Sequence, residues 1–210
     1  MRRPRLGLLI SGRGTNMTAI LDAIDDGRLD AEAAVVVSNR PEARGLGSAA
    51  GRGVATVALD HRAYAGREPF DAAVDAALHD AGVDVVACAG FMRIMTPRLI
   101  EPWAGRMLNI HPSLLPAFKG LDTFARTLAE GCAVAGCTVH EVTLDLDAGR
   151  ILGQAVVPVR TGDTAETLAV RALAMEHRLY PAVLAAFLAD PETARRTPIA
   201  IAAAEGWSAG

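Results

Sequence analysis

The regular alternation of short apolar, strand-like runs with helical segments is the feature of this chain that most constrains its fold. Parallel neighbouring strands need a crossover long enough to hold a helix, and segments of that length separate the runs. The pattern therefore predicts an α/β fold with a Rossmann-like, mostly parallel sheet and helices on both faces. The predicted strands are Arg5 to Ile10, Ala33 to Val37, Val54 to Leu59, Asp84 to Ala89 and the run that ends at His111, and the predicted helices are the segment through Ile20, Leu21 and Ile24, Glu42 to Ala50 and Glu68 to Ala81.

Composition narrows the class of protein. At 210 residues the chain can bury a full core, and a single domain is expected. A net charge of -3 and an aromatic content of 4% leave no basic face with stacking platforms, which argues against nucleic acid as the main partner. No apolar run approaches the ~20 residues of a membrane helix, and only five apolar or small residues stand between Met-Arg-Arg-Pro-Arg and Ser11. A cytoplasmic protein with a small-molecule ligand is therefore expected.

The three cysteines give no framework. Cys88, Cys132 and Cys137 are odd in number and never spaced as Cys-x-x-Cys. Neither disulfides nor a zinc site is indicated by this spacing. We expect reduced, mostly buried thiols and no metal.

A glycine-rich loop, Ser11 to Asn16, follows the first predicted strand and precedes a helix. Glycines allow the backbone to approach an anion, and N–H groups at a helix start point towards it. A dinucleotide is disfavoured, because Met17 stands where a third glycine is expected and the second strand ends in Ser38-Asn39 rather than in an acidic residue. We interpret the loop as a site for a single phosphate, with a plain turn as the alternative.

The block from Met107 to Gly120 carries the most chemical character. An apolar run ends in Asn109 and His111 and meets Pro112 at once, which holds the preceding residue extended. Alternation points Asn109 and His111 to the same side of a strand. An amide that donates and an imidazole that carries a proton near neutral pH suit work on a carbonyl. A turn-capping asparagine and a structural histidine would explain the pattern equally well.

A third loop, Gly90 to Met95, is unusually apolar for a strand end. Such a loop at a ligand-binding edge suggests a wall for a flat ring, whereas packing into the core with Arg93 in a salt bridge is the alternative.

The second half of the chain is richer in strand patterns. A turn-forming segment, residues 143–150, joins two β-type runs, which predicts a hairpin connection. Asp163 and Glu166 are predicted to form a capping box, and Pro181 is predicted to kink or restart the helix that follows. Further elements are predicted as a helix at Thr123 to Ala129, strands at Ala133 to Val142 and Ile151 to Arg160, and a short strand at Pro198 to Ala203 in an otherwise aperiodic tail.

Five segments together resemble the successive motifs of one family, the folate-dependent phosphoribosylglycinamide formyltransferases (glycinamide ribonucleotide transformylases). The similarity runs nearly the whole chain, and the Asn-x-His-Pro-Ser-Leu-Leu-Pro block with a downstream Leu-Asp-x-Gly is highly specific to folate formyltransferases. The segments are Leu9 to Asn16, Ala89 to Ile94, Leu108 to Pro116, Thr138 to His140 and Leu146 to Gly149.

The resemblance implies a fold, an activity and a set of roles. It implies a formyltransferase domain over residues 1–190, with a nucleotide-binding half at 1–105, a β-rich catalytic and folate-binding half at 106–190 and a tail at 191–210. It implies transfer of a formyl group from 10-formyltetrahydrofolate to glycinamide ribonucleotide in purine synthesis, by a monomer or homodimer. The implied residues are Asn109, His111 and Asp147 for catalysis; Gly14, Thr15, Asn16 and Glu176 for glycinamide ribonucleotide; and Arg67, Arg93, Ile94, Met95, Asn109, Val142 and Asp147 for folate.

Departures from the family pattern and rival functions remain to be weighed. Asp122 and Phe124 stand where the family often has histidines, and Arg150 stands where a proline is common. A formyltetrahydrofolate deformylase would use the same trio on water but typically has an extra N-terminal regulatory domain. A methionyl-tRNA formyltransferase would need a C-terminal RNA-binding domain. A non-catalytic folate- or nucleotide-binding protein would not need the intact trio.

Overall fold

The structure, a computed structural model, describes residues 2–203. It divides into two compact units. The first unit holds the described residues up to Asn109 together with Val142–Leu144, and the second holds Ile110–Glu141 and the described residues from Asp145 onward. Both units are α/β, and among the described strand pairs all but one are parallel.

The first unit is built on a parallel sheet. Its strands lie in the order β3-β2-β1-β4-β5, so their carboxyl ends share one edge. The core of this unit consists of apolar side chains from the strands and from the helices between them, with Phe70 and Trp103 among the largest. The elements are β1 (Arg5–Ile10), α1 (Thr15–Asp25), β2 (Glu32–Ser38), α2 (Arg44–Ala50), β3 (Thr56–Ala58), α3 (Arg67–Asp80), β4 (Val85–Cys88), α4 (Pro97–Ile100) and β5 (Met107–His111), whose last two residues belong to the second unit.

The second unit has a mixed arrangement of strands. β6 pairs antiparallel with β7, and β7 pairs parallel with β8. The strands approach closely at Gly136, where an added Cβ would lie 2.0 Å from the carbonyl oxygen of Ala155. Only glycine fits there. The elements are α5 (Thr123–Ala129), β6 (Val134–Glu141), β7 (Ile151–Pro158), α6 (Ala165–Ala189), α7 (Pro191–Arg196) and β8 (Ile199–Ala202).

The predicted α/β fold and parallel sheet are confirmed, with corrections at several boundaries. The strand predicted from Val54 to Leu59 is only three residues long, and α2 begins two residues after Glu42. A helix in the tail, α7, was not predicted, although the short strand after it was. The predicted tail continues into residues 204–210, which lie outside the described part of the chain.

Two predictions about α6 were wrong. The helix is capped by Thr164, whose side chain accepts a hydrogen bond from the N–H of Thr167, rather than by Asp163. Asp163 instead pairs with Arg171, which holds the pKa of that carboxyl well below its usual range. α6 does not restart at Pro181 and runs as one 25-residue helix, because its buried face offsets the hydrogen bond that proline cannot make.

Candidate active site

The glycine-rich loop joins β1 to α1 as predicted. Gly14 adopts a left-handed conformation (φ 70°) immediately before the helix, and a Cβ there would lie 3.3 Å from Gly45 Cα. No side chain caps α1, and its first turn contains no acidic residue. The start of α1, with Thr15 and Asn16, therefore has the geometry and charge that suit an anion.

Ser11 connects this loop to the Gly90–Met95 loop. Its hydroxyl accepts a hydrogen bond from the N–H of Met92 (2.8 Å) and donates one to Asn39 Oδ1 (2.5 Å). Its own N–H donates to the carbonyl of Gly90 (3.1 Å). Sequence reasoning assigned no role to Ser11, because nothing in the linear order of residues shows that β1 and β4 are neighbours.

The predicted folate-binding side chains of the first unit lie on two elements and a short connection. Arg93 has its guanidinium carbon 4.8 Å from the ring centre of Phe70, so the predicted alternative of a salt bridge for this arginine is not what the structure shows. Met95 packs against the core of the unit, whereas Ile94 is exposed. The remaining two residues are Arg67, exposed as the first residue of α3, and Val142, buried with its N–H bonded to the carbonyl of Met107 (2.8 Å).

A buried carboxylate is the centre of the second unit's polar cluster. The side chain of Asp147 is 8% exposed and lies between two buried imidazoles. Its Oδ2 is 3.4 Å from Nδ1 of His111 and accepts a hydrogen bond from the N–H of Gly120 (2.9 Å). Its Oδ1 is 3.7 Å from Nε2 of His140. Asp147 itself has a positive φ of 48°, which turns its side chain at the end of the 143–147 segment.

His140 is the member of this cluster that sequence reasoning missed. It lies in the Thr138 to His140 motif, but its contact with Asp147 depends on how β6 pairs with β7. Its Nδ1 lies 2.8 Å from the carbonyl oxygen of Glu141, so Nδ1 carries the hydrogen and Nε2 faces Asp147. Burial lowers the pKa of His140, which favours its neutral form.

The tautomer of His111 is fixed in a comparable way. Nε2 lies 3.0 Å from the carbonyl oxygen of Phe118, which can only accept, so Nε2 carries a hydrogen. Nδ1 is then the nitrogen that exchanges a proton beside Asp147. The Nε2–H must leave the Phe118 carbonyl before it can bond to a ligand oxygen. Phe118 itself has a positive φ of 55°, a conformation that non-glycine residues seldom adopt.

The two remaining predicted residues lie on regular elements. Asn109, half-buried, is paired in register with Cys88 of β4 and precedes His111 by two positions in β5. Glu176 is buried on α6. Ser113, which follows the trio's histidine, donates its hydroxyl to the carbonyl of Ala117 (2.7 Å).

The residues that depart from the family pattern lie at the edge of the cluster. Asp122 has a positive φ of 55° at the start of α5 without capping the helix through its side chain. Phe124 is half-buried, and Arg150 is exposed. None of the three forms a printed contact with the trio's side chains, so the cluster around Asp147 is complete without imidazoles at 122 and 124.

Thiol and metal chemistry have little support within residues 2–203. Burial raises the pKa of Cys88 to about 12, so this thiol stays protonated near neutral pH. In the described part of the chain, no group of three or more His, Cys, Asp or Glu side chains is placed to hold a metal ion. Across the same residues, no helix is long and apolar enough to cross a bilayer.

Comparison with known proteins shows the class of protein to which this fold and cluster correspond. Residues 5–184 match the formyl transferase family, and the chain belongs to it. Among its relatives, the phosphoribosylglycinamide formyltransferase of Escherichia coli K12 is 41% identical over 180 residues, which cover 86% of this chain and 85% of that protein. The trifunctional purine biosynthetic protein adenosine-3 of Homo sapiens is 43% identical over 183 residues. The match covers 87% of this chain but only 18% of the human protein's length.

Solved structures give the same result. The glycinamide ribonucleotide transformylase 1 of Symbiobacterium toebii superposes with a TM-score of 0.88 at 48% identity, covering 90% of this chain and 89% of that one. The phosphoribosylglycinamide formyltransferase of Brucella melitensis superposes with a TM-score of 0.85, also at 48% identity, covering 89% and 96% of the two chains.

Proposed function

We propose that this chain transfers the formyl group of 10-formyltetrahydrofolate to the amine of glycinamide ribonucleotide, giving formylglycinamide ribonucleotide in the synthesis of purines (IMP). The observation that carries the proposal is the buried Asp147 between two imidazoles of fixed tautomer, at the position of the family's Leu-Asp-x-Gly motif. The names of its relatives support both substrates' place in purine synthesis.

The acceptor's phosphate is assigned to the start of α1. Gly14, Thr15 and Asn16 present backbone N–H groups at an uncapped helix start without a nearby acidic side chain. A single phosphate matches the size of this loop better than a dinucleotide does. Glu176 is assigned to the nucleotide sugar, whose hydroxyl groups a carboxylate can accept.

The formyl donor is assigned to the apolar loop and its neighbours. Arg93, Ile94 and Met95, with Val142, would bind the pterin largely through backbone groups and apolar contact. Arg67 is exposed at the start of α3 and would meet the negatively charged glutamate tail. No metal is required by this chemistry.

The chemical step follows from the trio. The amine nitrogen attacks the formyl carbon, and the carbonyl oxygen becomes an oxyanion that the amide of Asn109 and the Nε2–H of His111 would stabilise. Asp147 takes the proton that the attacking nitrogen loses and returns it to N10 of the folate as the C–N bond breaks. His111 makes the new bond only after its Nε2–H has exchanged the Phe118 carbonyl for the substrate oxygen.

Folate absorbance with and without the acceptor tests this proposal. We expect tetrahydrofolate release from 10-formyltetrahydrofolate to depend on glycinamide ribonucleotide, with slow background turnover in its absence, because the bound amine gains the advantage of an oriented reaction. Mass detection should find the formylated nucleotide. Equal rates in both cuvettes without that product would mean that the chain is a deformylase, and no release in either would mean that it only binds.

The remaining proposals concern the whole protein. We expect residues 1–190 to act as one formyltransferase domain in the cytoplasm, as a monomer or homodimer. Light scattering of the purified chain would distinguish those two states from larger assemblies.

A further inference from the structure

One buried carboxylate lies outside every role assigned so far. Asp71, on α3, is 1% exposed. Its Oδ2 accepts a hydrogen bond of 2.6 Å from the N–H of Thr96, and its Oδ1 has no hydrogen-bond partner among residues 2–203. Burying a carboxylate is unfavourable unless it is bonded, so a carboxylate with one backbone bond is retained for what that bond holds.

The bond holds the end of the Gly90–Met95 loop. Thr96 is the extended residue before Pro97, which begins α4, so it can present its N–H sideways to α3. Asp71 therefore fixes the point at which the loop returns to a helix.

The beginning of the loop is held in the same manner. The N–H of Met92 donates to the hydroxyl of Ser11 at 2.8 Å. Between these two bonds, Arg93 lies over the ring of Phe70, the residue before Asp71. Neighbouring residues of α3 thus hold the middle and the end of a loop whose exposed side chains, Met92 and Ile94, are 64% and 63% exposed.

The loop also carries unsatisfied polar atoms that point to a ligand. Arg93 Nε and Thr96 Oγ1 are buried without a hydrogen-bond partner in the described part of the chain, as Asp71 Oδ1 is. Buried polar atoms of native proteins are nearly always bonded, and exceptions concentrate at functional positions. Three such atoms on one loop and its anchor are consistent with a segment whose bonding is completed on binding.

We propose that Asp71 is a positioning residue for the formyl donor: through the N–H of Thr96 it holds the 90–96 segment in the shape that binds folate. This inference rests on the proposed function for the identity of the donor. Asp71 does not touch the reacting atoms, so it sets donor affinity and leaves the chemical step and the acceptor site unchanged. The bond needs only an acceptor oxygen, which the amide of an asparagine also provides.

Two substitutions separate positioning from simple stability. Asp71→Ala removes the acceptor, and the dissociation constant for tetrahydrofolate and the KM for 10-formyltetrahydrofolate should rise roughly tenfold. The KM for glycinamide ribonucleotide and kcat should stay within about twofold. Asp71→Asn should restore folate affinity, and Asp80→Ala, which removes an exposed carboxylate from the end of the same helix, should have no effect.

Hydrogen exchange on the unmodified protein gives a measurement that needs no variant. Coupling between sites is reciprocal, so if the Asp71–Thr96 bond favours folate binding, tetrahydrofolate must slow exchange of the Thr96 amide, by roughly tenfold or more. Glycinamide ribonucleotide alone should not.

The outcomes distinguish this inference from the function on which it rests. Failure of the unmodified chain to bind tetrahydrofolate would overturn the proposed function. Binding by the unmodified chain with equal affinity in Asp71→Ala, equal losses for both substrates, or Thr96 exchange unchanged by tetrahydrofolate would overturn the role of Asp71.

Discussion

Replacement of Asp147 by asparagine tests the central cluster most directly. Asn keeps the shape of the side chain and its bond from the Gly120 N–H but removes the charge beside His111. For unit charges at the observed 3.4 Å, an effective dielectric constant of about 20 gives roughly 5 kcal/mol. Loss of one partner of a buried pair costs about 3 to 5 kcal/mol. If most of this acts in the transition state, kcat should fall roughly 10²- to 10³-fold.

The assay is steady-state kinetics as a function of pH, with both substrates varied. We expect the loss in kcat with both KM values changed far less, and the limb of the activity–pH profile that belongs to the trio should disappear or move. Glu130→Gln, which removes an exposed carboxylate from the same unit, is the matched control. A variant with an unchanged profile at an unchanged rate would show that Asp147 is only a turn residue.

Three further predictions follow from individual residues. Asn109→Ala should lower kcat roughly 10²-fold with little change in substrate binding; a near-normal kcat would contradict its assignment to the oxyanion. Gly14→Val places a branched side chain at φ 70° and 3.3 Å from Gly45 Cα, so the KM for glycinamide ribonucleotide should rise by roughly tenfold, about 1.4 kcal/mol, while tetrahydrofolate binding persists; equal damage to both ligands would instead indicate a misfolded loop. Because burial lowers the pKa of His140 from 6.5, the unfolded chain binds more protons than the folded protein just below that pH, and stability is lost as the pH falls. His140→Gln should flatten the fall in Tm between about pH 7 and 5.5, and an equal slope would exclude His140 as its source.

Local chemistry explains which elements could be predicted from sequence. β1 and α5 have the predicted bounds because a glycine loop ends the first and Gly131 follows the second. The cap of α6 could not be chosen between Asp163 and Thr164, since both are good caps and the choice depends on Arg171 one helical face away. The helix after Pro191 lacks apolar periodicity and is stabilised instead by Asp190, whose side chain accepts from two N–H groups of its first turn.

The candidate site divides in the same way. Residues of the trio stand in specific motifs, so their positions could be read directly from the chain. His140 could not be placed beside Asp147, because the pairing of β6 and β7 is irregular between Val139 and His140, where the partners are Gly153 and Ile151. Leu152 has no opposite residue there, and a bulge of this kind re-aims a side chain in a way that simple alternation does not predict.

The two hydrogen bonds that hold the 90–96 segment have a consequence for how donor preference can change during evolution. Both bonds use backbone N–H groups, of Met92 and Thr96, and every residue type except proline supplies that group. The side chains of Met92 and Ile94 can therefore be exchanged, to fit a larger or more polar ring, without releasing the loop. The anchoring oxygens of Ser11 and Asp71 stay constant while the surface presented to the ligand is free to diversify.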